Sequence, residues 1–362
     1  MELGVLDILL NFYHAYSDYA VKFLGFIVDK SSRFFWLYLL SSLIIAYVLY
    51  RHQAKTEKTE GGFLSFLFPR SVWSHPDAWL DVRYFFFHGL IGHFLLFGCI
   101  TAGILAGIEL SIGTETYEQL TRHAAPNSGF ASLAIAVIAL LIITFISDFT
   151  AFFIHYMQHK VPLLWQFHKV HHAGEVMHPL SNSREHPIDN LAYDFLSSFV
   201  TAYIYGLLLT LIGFKPASLN IFGVALIGVI FNLAAYQLRH SHIWLKWPGI
   251  WSKVFGSPAH HQIHHSRHPD HLDKNFAFKF PIWDILFGTY IMPEDNRDVE
   301  FGIVEDNSEL NSCVNLYVIP FRDAYRVLKG TYKNGETPQP ARSTALNQPN
   351  IRSADLVPEP KI

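Results

Sequence analysis

Five long apolar runs without Asp, Glu, Lys or Arg constrain this 362-residue chain more than any other feature. About 20 helical residues cross a hydrocarbon core of roughly 30 Å, so the runs predict four to five transmembrane helices. The charged fraction of 16% agrees with this, because soluble domains carry about 25%. We therefore expect an all-α fold, a polytopic helical membrane bundle. The runs cover residues 34–50, 84–108, 123–147, 195–214 and 216–238.

The last two runs are separated by Lys215 alone, and Pro216 follows it. This spacing allows only a tight turn, so we expect a transmembrane hairpin over residues 195–238. Within the N-terminal segment 1–33, whose role stays open, residues 5–28 are apolar but interrupted by Asp7, Asp18 and Lys22. That pattern predicts an interfacial or half-inserted helix, and it does not match a removable signal peptide.

Lysine and arginine are unevenly distributed between the loops, with five in residues 51–83 and one in residues 109–122. Cytoplasmic loops carry the excess of these residues, so the first of the two loops is expected in the cytoplasm. If each later run crosses the membrane once, residues 155–194 and all residues after 239 lie on that same side. The protein is thus expected in the inner membrane of a bacterium or in the endoplasmic reticulum of a eukaryote.

The same patterns predict four parts. The C-terminal residues 331–362, called the tail, are rich in Pro, Asn, Ser and Thr, which is typical of disorder. The parts are a membrane anchor over 1–144, a histidine-rich catalytic domain over 145–295 that includes the hairpin, a C-terminal cytosolic extension over 296–330 and the tail over 331–362.

Fifteen of the 21 histidines lie in two short windows, residues 155–186 and 240–271. Three blocks within them repeat a spacing of three or four residues, which places imidazoles on one face of a helix. Ligating imidazoles are neutral, so a shared metal centre would remove the repulsion among eight clustered histidines. Eight ligands exceed the needs of one ion, and the arithmetic favours two metals. The blocks are His155/His159, His168/His171/His172 and His261/His264/His265.

The spacing alone leaves the metal open among zinc, copper, iron and nickel. A zinc protease would need a glutamate after the first histidine of HExxH, where this chain has Tyr156. A ferritin-like carboxylate site would need two Glu-x-x-His motifs and two further glutamates, and only Glu175 begins such a motif. A single HxxxH can also be an ordinary polar helix face.

The segment DFTAFFIHYMQHKVPLLWQFHKVHHAG resembles the heart of the membrane-bound sterol desaturase / fatty acid hydroxylase superfamily. NSREHPID, LRHSHIW and the closing SPAHHQIHHSRHPDHLDKNFAFKFPIWDILFGTY match its later elements, in order, over about residues 145–293. The resemblance implies a helical membrane anchor under a cytosolic helical cap. It also implies two iron ions, with zinc as an alternative occupant of the isolated protein, that activate O2 to hydroxylate or desaturate a lipid C–H bond.

Carried over by position, the resemblance implies ten metal ligands. Asp148 is the expected catalytic carboxylate, because metal-bound imidazoles donate their second N–H to such groups and Asp148 shares a helix face with His155. The ligands would be His155, His159, His168, His171, His172, His186, His240, His261, His264 and His265.

Other histidines are expected to have ordinary roles. His242 stands where the family has Asn and should pack, and His260 should face away from its block. His178, His268 and His271 are expected on the surface. Asp273, Asn275 and Trp283 are expected to be structural. His88 and His93 are expected to hydrogen-bond to neighbouring helices, with the lining of a substrate passage as the alternative.

The leading hypothesis is an oxidoreductase that acts on a membrane lipid (a sterol, a fatty acyl group or a related lipid) with O2. No dinucleotide-binding loop is visible, so electrons should come from a separate donor protein or a small reductant. The net charge of −3 argues against a nucleic-acid partner. An ether-lipid hydroxylase, a metal transporter and a non-catalytic dimetal protein remain as alternatives, and the oligomeric state stays open.

Overall fold

The computed structural model describes residues 5–56, 61–123, 130–212, 220–221, 224–294 and 298–331. Most of these residues lie in helices, and the described strands have only two residues each, which confirms the all-α prediction. The first eight helices are α1 (Val5–Leu24), α2 (Trp36–Thr56), α3 (Phe63–Leu67), α4 (Arg70–Trp73), α5 (Pro76–Phe87), α6 (His93–Ser111), α7 (Thr114–His123) and α8 (Phe130–Lys160). The others are α9 (Pro162–His172), α10 (Pro187–Ile212), α11 (Leu226–Leu233), α12 (Trp251–Val254), α13 (Pro258–His264), α14 (Ile282–Phe287) and α15 (Cys313–Leu328).

Shorter elements join these helices. A π-helical turn, His88–Gly92, connects α5 to α6, and 3₁₀ turns form at Pro179–Ser183 and Tyr236–Leu238. Two antiparallel strands of two residues each, β1 (Asn220–Ile221) and β2 (Val224–Ala225), precede α11.

Two helices in the described part of the chain are long and apolar enough to cross a membrane. They are Ala134–Lys160 within α8 and Pro187–Leu211 within α10, and most of their residues are not buried inside the protein. Such apolar and outward-facing surface is what a lipid-embedded helix presents. The structure therefore supports a membrane protein, while the predicted total of four to five spans stays a prediction.

The helix α10 packs along α6 at very close range. A Cβ atom added to Gly103 would lie 2.6 Å from the backbone oxygen of Phe195, and one added to Gly107 would lie 2.4 Å from that of Phe199. Small residues at a helix interface let two backbones approach in this way, which is typical of membrane helices. The glycines of α6 thus fix its contact with α10.

The second arm of the predicted hairpin differs from the first. The run over 195–214 lies within α10, but among the described residues 224–238 the only α-helix is α11. Its eight residues span about 12 Å, too short to cross a hydrocarbon core. The chain breaks after it because Ala235 adopts a left-handed conformation with φ 64° and starts a 3₁₀ turn. The predicted turn at Lys215 lies outside the described residues, as does the predicted tail from residue 332 onward.

The elements around the histidine blocks form a compact layer at the ends of α8 and α10. Helix α9 packs on α8 and α15, and a buried salt bridge joins Lys169 Nζ of α9 to Asp323 Oδ2 of α15 at 2.8 Å. An apolar cluster around Trp165, Val170 and Leu316 fills the space between these helices. The extension after residue 298 therefore completes the layer that holds the histidines.

Candidate metal centre

Local sequence signals place the three blocks on helices. The first block lies in the last two turns of α8. Pro162 at the first position of α9 restarts the helix and brings the second block back beside the first. Ser257 caps α13 by accepting a hydrogen bond from the backbone N–H of His260, and the third block follows. His240 comes from the irregular segment after the 3₁₀ turn Tyr236–Leu238.

These elements bring nine of the ten predicted ligands into two adjacent groups. Within each group, one nitrogen atom of every imidazole lies within 4.8 Å of the others. The stacked rings of His172 and His265 connect the groups, with centroids 4.3 Å apart. Group A is His155, His159, His168, His172 and His264; group B is His171, His240, His261 and His265.

The outer nitrogen of most of these imidazoles is held by an acceptor. His155 Nδ1 donates to Phe276 O at 2.9 Å, and His264 Nδ1 donates to Lys274 O at 2.8 Å. Because a carbonyl oxygen only accepts, Nδ1 carries the proton and Nε2 keeps its lone pair. The same holds for His171 Nδ1, which lies 3.2 Å from the backbone oxygen of Arg184. The backbone thus fixes the tautomer that a metal ion requires.

Asp189 supplies the corresponding carboxylate. Its Oδ2 atom accepts from His168 Nδ1 at 2.7 Å, and its Oδ1 atom accepts from Gln158 Nε2 at 2.8 Å. Asp273 Oδ1 lies 3.4 Å from His159 Nδ1. His261 is different, because its Nδ1 accepts from Arg239 Nη2 at 3.1 Å. The neutral ring then carries its proton on Nε2, which donates to His240 Nε2 at 2.8 Å, and a metal ion in group B would have to displace that proton.

The inner nitrogens fit a metal ion by their chemistry. His168 Nε2 and His264 Nε2 are buried and have no hydrogen-bond partner among the described residues. Leaving a buried polar atom unpaired costs about 1–3 kcal/mol, so such atoms call for a ligand. Within group A, His159 Nε2 and His172 Nε2 lie only 3.1 Å apart. A cation between converging lone pairs would turn this contact into a favourable one.

Burial keeps His171 and His264 neutral at physiological pH. It lowers the pKa of His171 to about 4 and that of His264 to about 3, mainly through loss of hydration. Neighbouring histidines lower the same pKa values further. Neutral imidazoles are the form that binds metals.

Two predicted site residues lie elsewhere. His186 is outside both groups, because its Nε2 donates to Tyr317 O at 3.0 Å and its Nδ1 accepts from the backbone N–H of Ile188 at 3.1 Å. Asp148 accepts from Trp283 Nε1 and from the backbone N–H of Lys279, each at 3.1 Å. Its described contacts anchor the segment after the third block and include no imidazole.

The carboxylates that do contact the imidazoles were assigned differently from the sequence. Asp189 was not singled out, although it stands three residues after His186 in the NSREHPID element. Asp273 was expected to be structural only. The i, i+3 spacing on the first turn of α10 is a signal that would have drawn attention to Asp189.

The remaining histidines divide as their contacts dictate. His242 Nε2 donates to Phe66 O at 2.7 Å, and His260 Nδ1 lies 2.7 Å from Ser257 Oγ, so both lie outside the groups as expected. The surface prediction was wrong for His178 and His271, which are 1% and 3% exposed. His178 is buried against Asp81, which also binds Arg184.

His88 joins three parts of the chain as expected for an interhelical hydrogen bond. Its Nδ1 pairs with Tyr317 Oη at 2.7 Å, and its Nε2 pairs with Asn190 Oδ1 at 3.0 Å. The π-helical turn that begins at His88 sets this direction. The contacts tie α10 and α15 to the end of α5.

Two cavities reach the histidines from different sides. One of about 330 Å³ touches His155, His168, His171 and His261, so it borders both groups. The other, of about 240 Å³, touches group A alone through three further histidines. The centre is thus buried but accessible.

Comparison with known proteins assigns this region. Residues 140–289 match the family described as fatty acid hydroxylase. The predicted resemblance to the sterol desaturase / fatty acid hydroxylase superfamily is confirmed.

Several curated proteins are similar to the same region. Alkylglycerol monooxygenase of Danio rerio is 31% identical over 156 residues, 43% of this chain and 31% of that protein. Ornithine lipid hydroxylase OlsE of Rhizobium tropici is 26% identical over 205 residues, 56% of each chain. Human cholesterol 25-hydroxylase is 29% identical over 177 residues, 47% of this chain and 56% of that protein. The chain therefore spans about a third to a half of these relatives, and no solved structure is significantly similar to it.

Proposed function

We propose that this protein hydroxylates a C–H bond of a membrane lipid with O2 at two iron ions, one in each histidine group. The observation that carries the proposal is the arrangement of nine imidazoles in two adjacent groups of five and four. Four to six ligands suit one ion, so each group matches one metal. The similarity to lipid hydroxylases and monooxygenases supports the reaction class.

The chain holds the imidazole rings in position and shields them from water. Asp189 and the backbone oxygens of Phe276 and Lys274 hold the imidazole rings with their Nε2 atoms directed inward. Asp148 is given a positioning role, because it anchors the segment that carries Phe276. We do not include His186 among the ligands, because both of its nitrogens bind the backbone.

Iron held in these groups would supply the activation of O2 and the attack on the C–H bond. In the overall reaction, one oxygen atom of O2 enters the C–H bond and the other leaves as water. The two electrons required come from a separate donor protein or a small reductant, and two protons accompany them. Desaturation would use the same oxidant and electrons, and the product distinguishes the two outcomes.

The lipid would reach the centre from the bilayer. The histidine layer lies at the ends of the two apolar helices α8 and α10, and the 330 Å³ cavity borders both groups. We place the layer on the cytoplasmic side, on the basis of the lysine and arginine distribution. This arrangement supports an integral membrane protein with a lipid substrate.

Metal analysis of variants tests the ligand assignment. His171→Ala in the purified full-length protein should lose about one metal equivalent and all O2-dependent, reductant-dependent lipid oxidation. His242→Ala is the matched control, because this histidine lies outside both groups and should keep both properties. Full metal content and activity in the His171→Ala protein would overturn the assignment.

Lipid profiles of cells with and without the gene test the reaction. A product heavier than its precursor by one oxygen atom supports hydroxylation, and a hydroxylated ether lipid would identify the alternative substrate class. Metal flux through proteoliposomes, without oxidation of any lipid, would favour the transporter hypothesis instead. Tightly bound zinc without O2 consumption would identify a non-catalytic protein.

A further inference from the structure

The cavity beside the two histidine groups is lined by charged side chains. They include Glu185 and Asp194 from the start of α10 and its preceding loop, and Arg239 and Lys279 from the opposite segments. Burying charge without a partner is costly, so a site made only for a hydrocarbon chain would not carry these groups. The lining therefore points to a substrate with a polar part next to the histidines.

The charges are separated into two walls. On the acidic wall, Glu185 Oε2 accepts from Asn190 Nδ2 at 2.6 Å, which orients the carboxylate. Arg33 interacts electrostatically with both Glu185 and Asp194 from the same cavity. Arg33 offsets part of the negative charge of this wall, and the two carboxylates together keep acceptor capacity for a cationic group of a ligand.

On the basic wall, Arg239 is only 6% exposed. Its guanidinium lies between the rings of Phe231 and Phe278, at 5.5 and 5.3 Å from their centroids, and it donates to Phe278 O. No carboxylate of the described residues lies within 4.0 Å of it. A buried cation without a carboxylate partner favours an anionic group of a ligand.

An apolar groove continues from this cavity. It has a volume of about 320 Å³ and shares Phe231 and Lys279 with the charged cavity. The rest of its lining is almost wholly apolar and includes Ile230, Trp247 and Trp251. Ile230 and Trp251 are 57% and 55% exposed, and tryptophan at an exposed apolar surface is typical of the membrane interface. A hydrocarbon chain fits the groove.

We propose that the substrate is a zwitterionic lipid whose head group lies between the two charged walls and whose hydrocarbon chain lies in the apolar groove. A cationic amine would face Glu185 and Asp194, and an anionic carboxylate or phosphate would face Arg239. Lys279 lies beside it, with its Nζ 3.6 Å from Asp148 Oδ1, and would share its charge between that carboxylate and the ligand. The carbon that is oxidised then lies in the head group or beside it, rather than far along the chain. The oxidation step of this inference rests on the proposed function and uses the two electrons and two protons given there.

Binding measurements on the zinc-loaded full-length protein in detergent micelles test the inference without turnover. The probes are phosphatidylethanolamine, phosphatidylglycerol and diacylglycerol with brominated chains, which quench the fluorescence of Trp247 and Trp251. We expect phosphatidylethanolamine to bind about tenfold more tightly than either other lipid, as charge-assisted hydrogen bonds predict. Trp251→Phe should reduce the amplitude of quenching.

Substitutions on each wall sharpen the test. Glu185→Gln should remove the preference over phosphatidylglycerol, and Lys279→Gln should reduce the preference over diacylglycerol. Glu115→Gln and Lys329→Gln are matched controls, because these side chains are exposed and lie outside the cavity. Unchanged metal content in each variant shows that the protein is folded.

The outcomes separate this inference from the proposed function. Equal binding of the three lipids, or wall variants that behave like their controls, would overturn the inference even if the protein oxidises a lipid. Charge-dependent binding without oxidation of any lipid would support the head-group site and contradict the proposed function. An oxidised product that carries no charged head group would overturn the inference alone.

Discussion

The substitution Asp189→Asn should weaken metal binding in group A through the tautomer of one histidine. Asp189 accepts two hydrogen bonds, from His168 Nδ1 at 2.7 Å and from Gln158 Nε2 at 2.8 Å. Asparagine has nearly the same size but only one acceptor atom, and its NH₂ group must face one of these donors. If that group faces His168, Nδ1 has to accept, and the proton moves to Nε2. The lone pair that would bind the metal is then lost.

The magnitude follows from the burial of this contact. The side chains of His168 and Asp189 are 7% and 9% exposed, so solvent does not replace the lost partner. A hydrogen bond to a charged group contributes about 1.5–3 kcal/mol, and such partners of metal ligands change affinity by about 10–100-fold. We expect zinc affinity of group A to fall within that range.

A chelator competition assay on the purified full-length protein measures this affinity. Asp323→Asn is the matched control, because Asp323 is also buried and binds Lys169 of the same helix, α9, without contacting a histidine. Both variants should lose stability by about 1–3 kcal/mol, and only Asp189→Asn should lose zinc affinity. Wild-type zinc affinity in Asp189→Asn, or an equal loss in both variants, would refute the tautomer argument.

Three further predictions concern the groups and the helix contact. Elemental analysis should show that His264→Ala removes about one metal equivalent, that His265→Ala also removes about one, and that the double variant removes two. Loss of both metals in each single variant would contradict two separate groups. The metal-free protein should lose stability as the pH falls from 6.5 toward 4. Folding lowers the pKa values of His171 and His264 to about 4 and about 3, so in this pH range the unfolded chain binds more protons than the folded one. Thermal denaturation at a series of pH values measures this, and a stability that does not change with pH would count against it. Gly103→Ala should destabilise the contact of α6 with α10, because the added Cβ would lie 2.6 Å from Phe195 O. Gly98→Ala is the control and should be tolerated, because its Cβ would have no atom within 4 Å. Equal thermal stability of the two variants would show that the helices are not packed this closely.

The charge-free runs predicted the long helices well where one face of the helix is exposed on the surface of the protein. The runs over 123–147 and 195–214 lie largely within α8 and α10. The run over 84–108 lies in one uninterrupted helical stretch, in which the π-helical turn His88–Gly92 joins α5 to α6. That turn serves the contacts of His88 with Tyr317 and Asn190, and no count of apolar residues contains such distant partners.

The surface prediction for His178 failed for a similar reason. A histidine outside the three blocks has no local signal of burial. The structure buries it with Asp81 and Arg184, which lie far apart in the chain. Long-range charge pairing decided its position.

The sequence alone determined that the chain is helical and apolar, and that three blocks present imidazoles on common helix faces, because helical period and hydropathy are local properties. It also determined the resemblance of the histidine-bearing region to the fatty acid hydroxylase family. Only the tertiary structure decided how the ligands divide: His172 and His264 belong to one group, while their neighbours His171 and His265 belong to the other. Adjacent residues of a helix point about 100° apart, so the packing of α8, α9 and α13 against one another sets which imidazoles converge. The tertiary structure likewise supplied Asp189, whose carboxylate reaches His168 from a different helix.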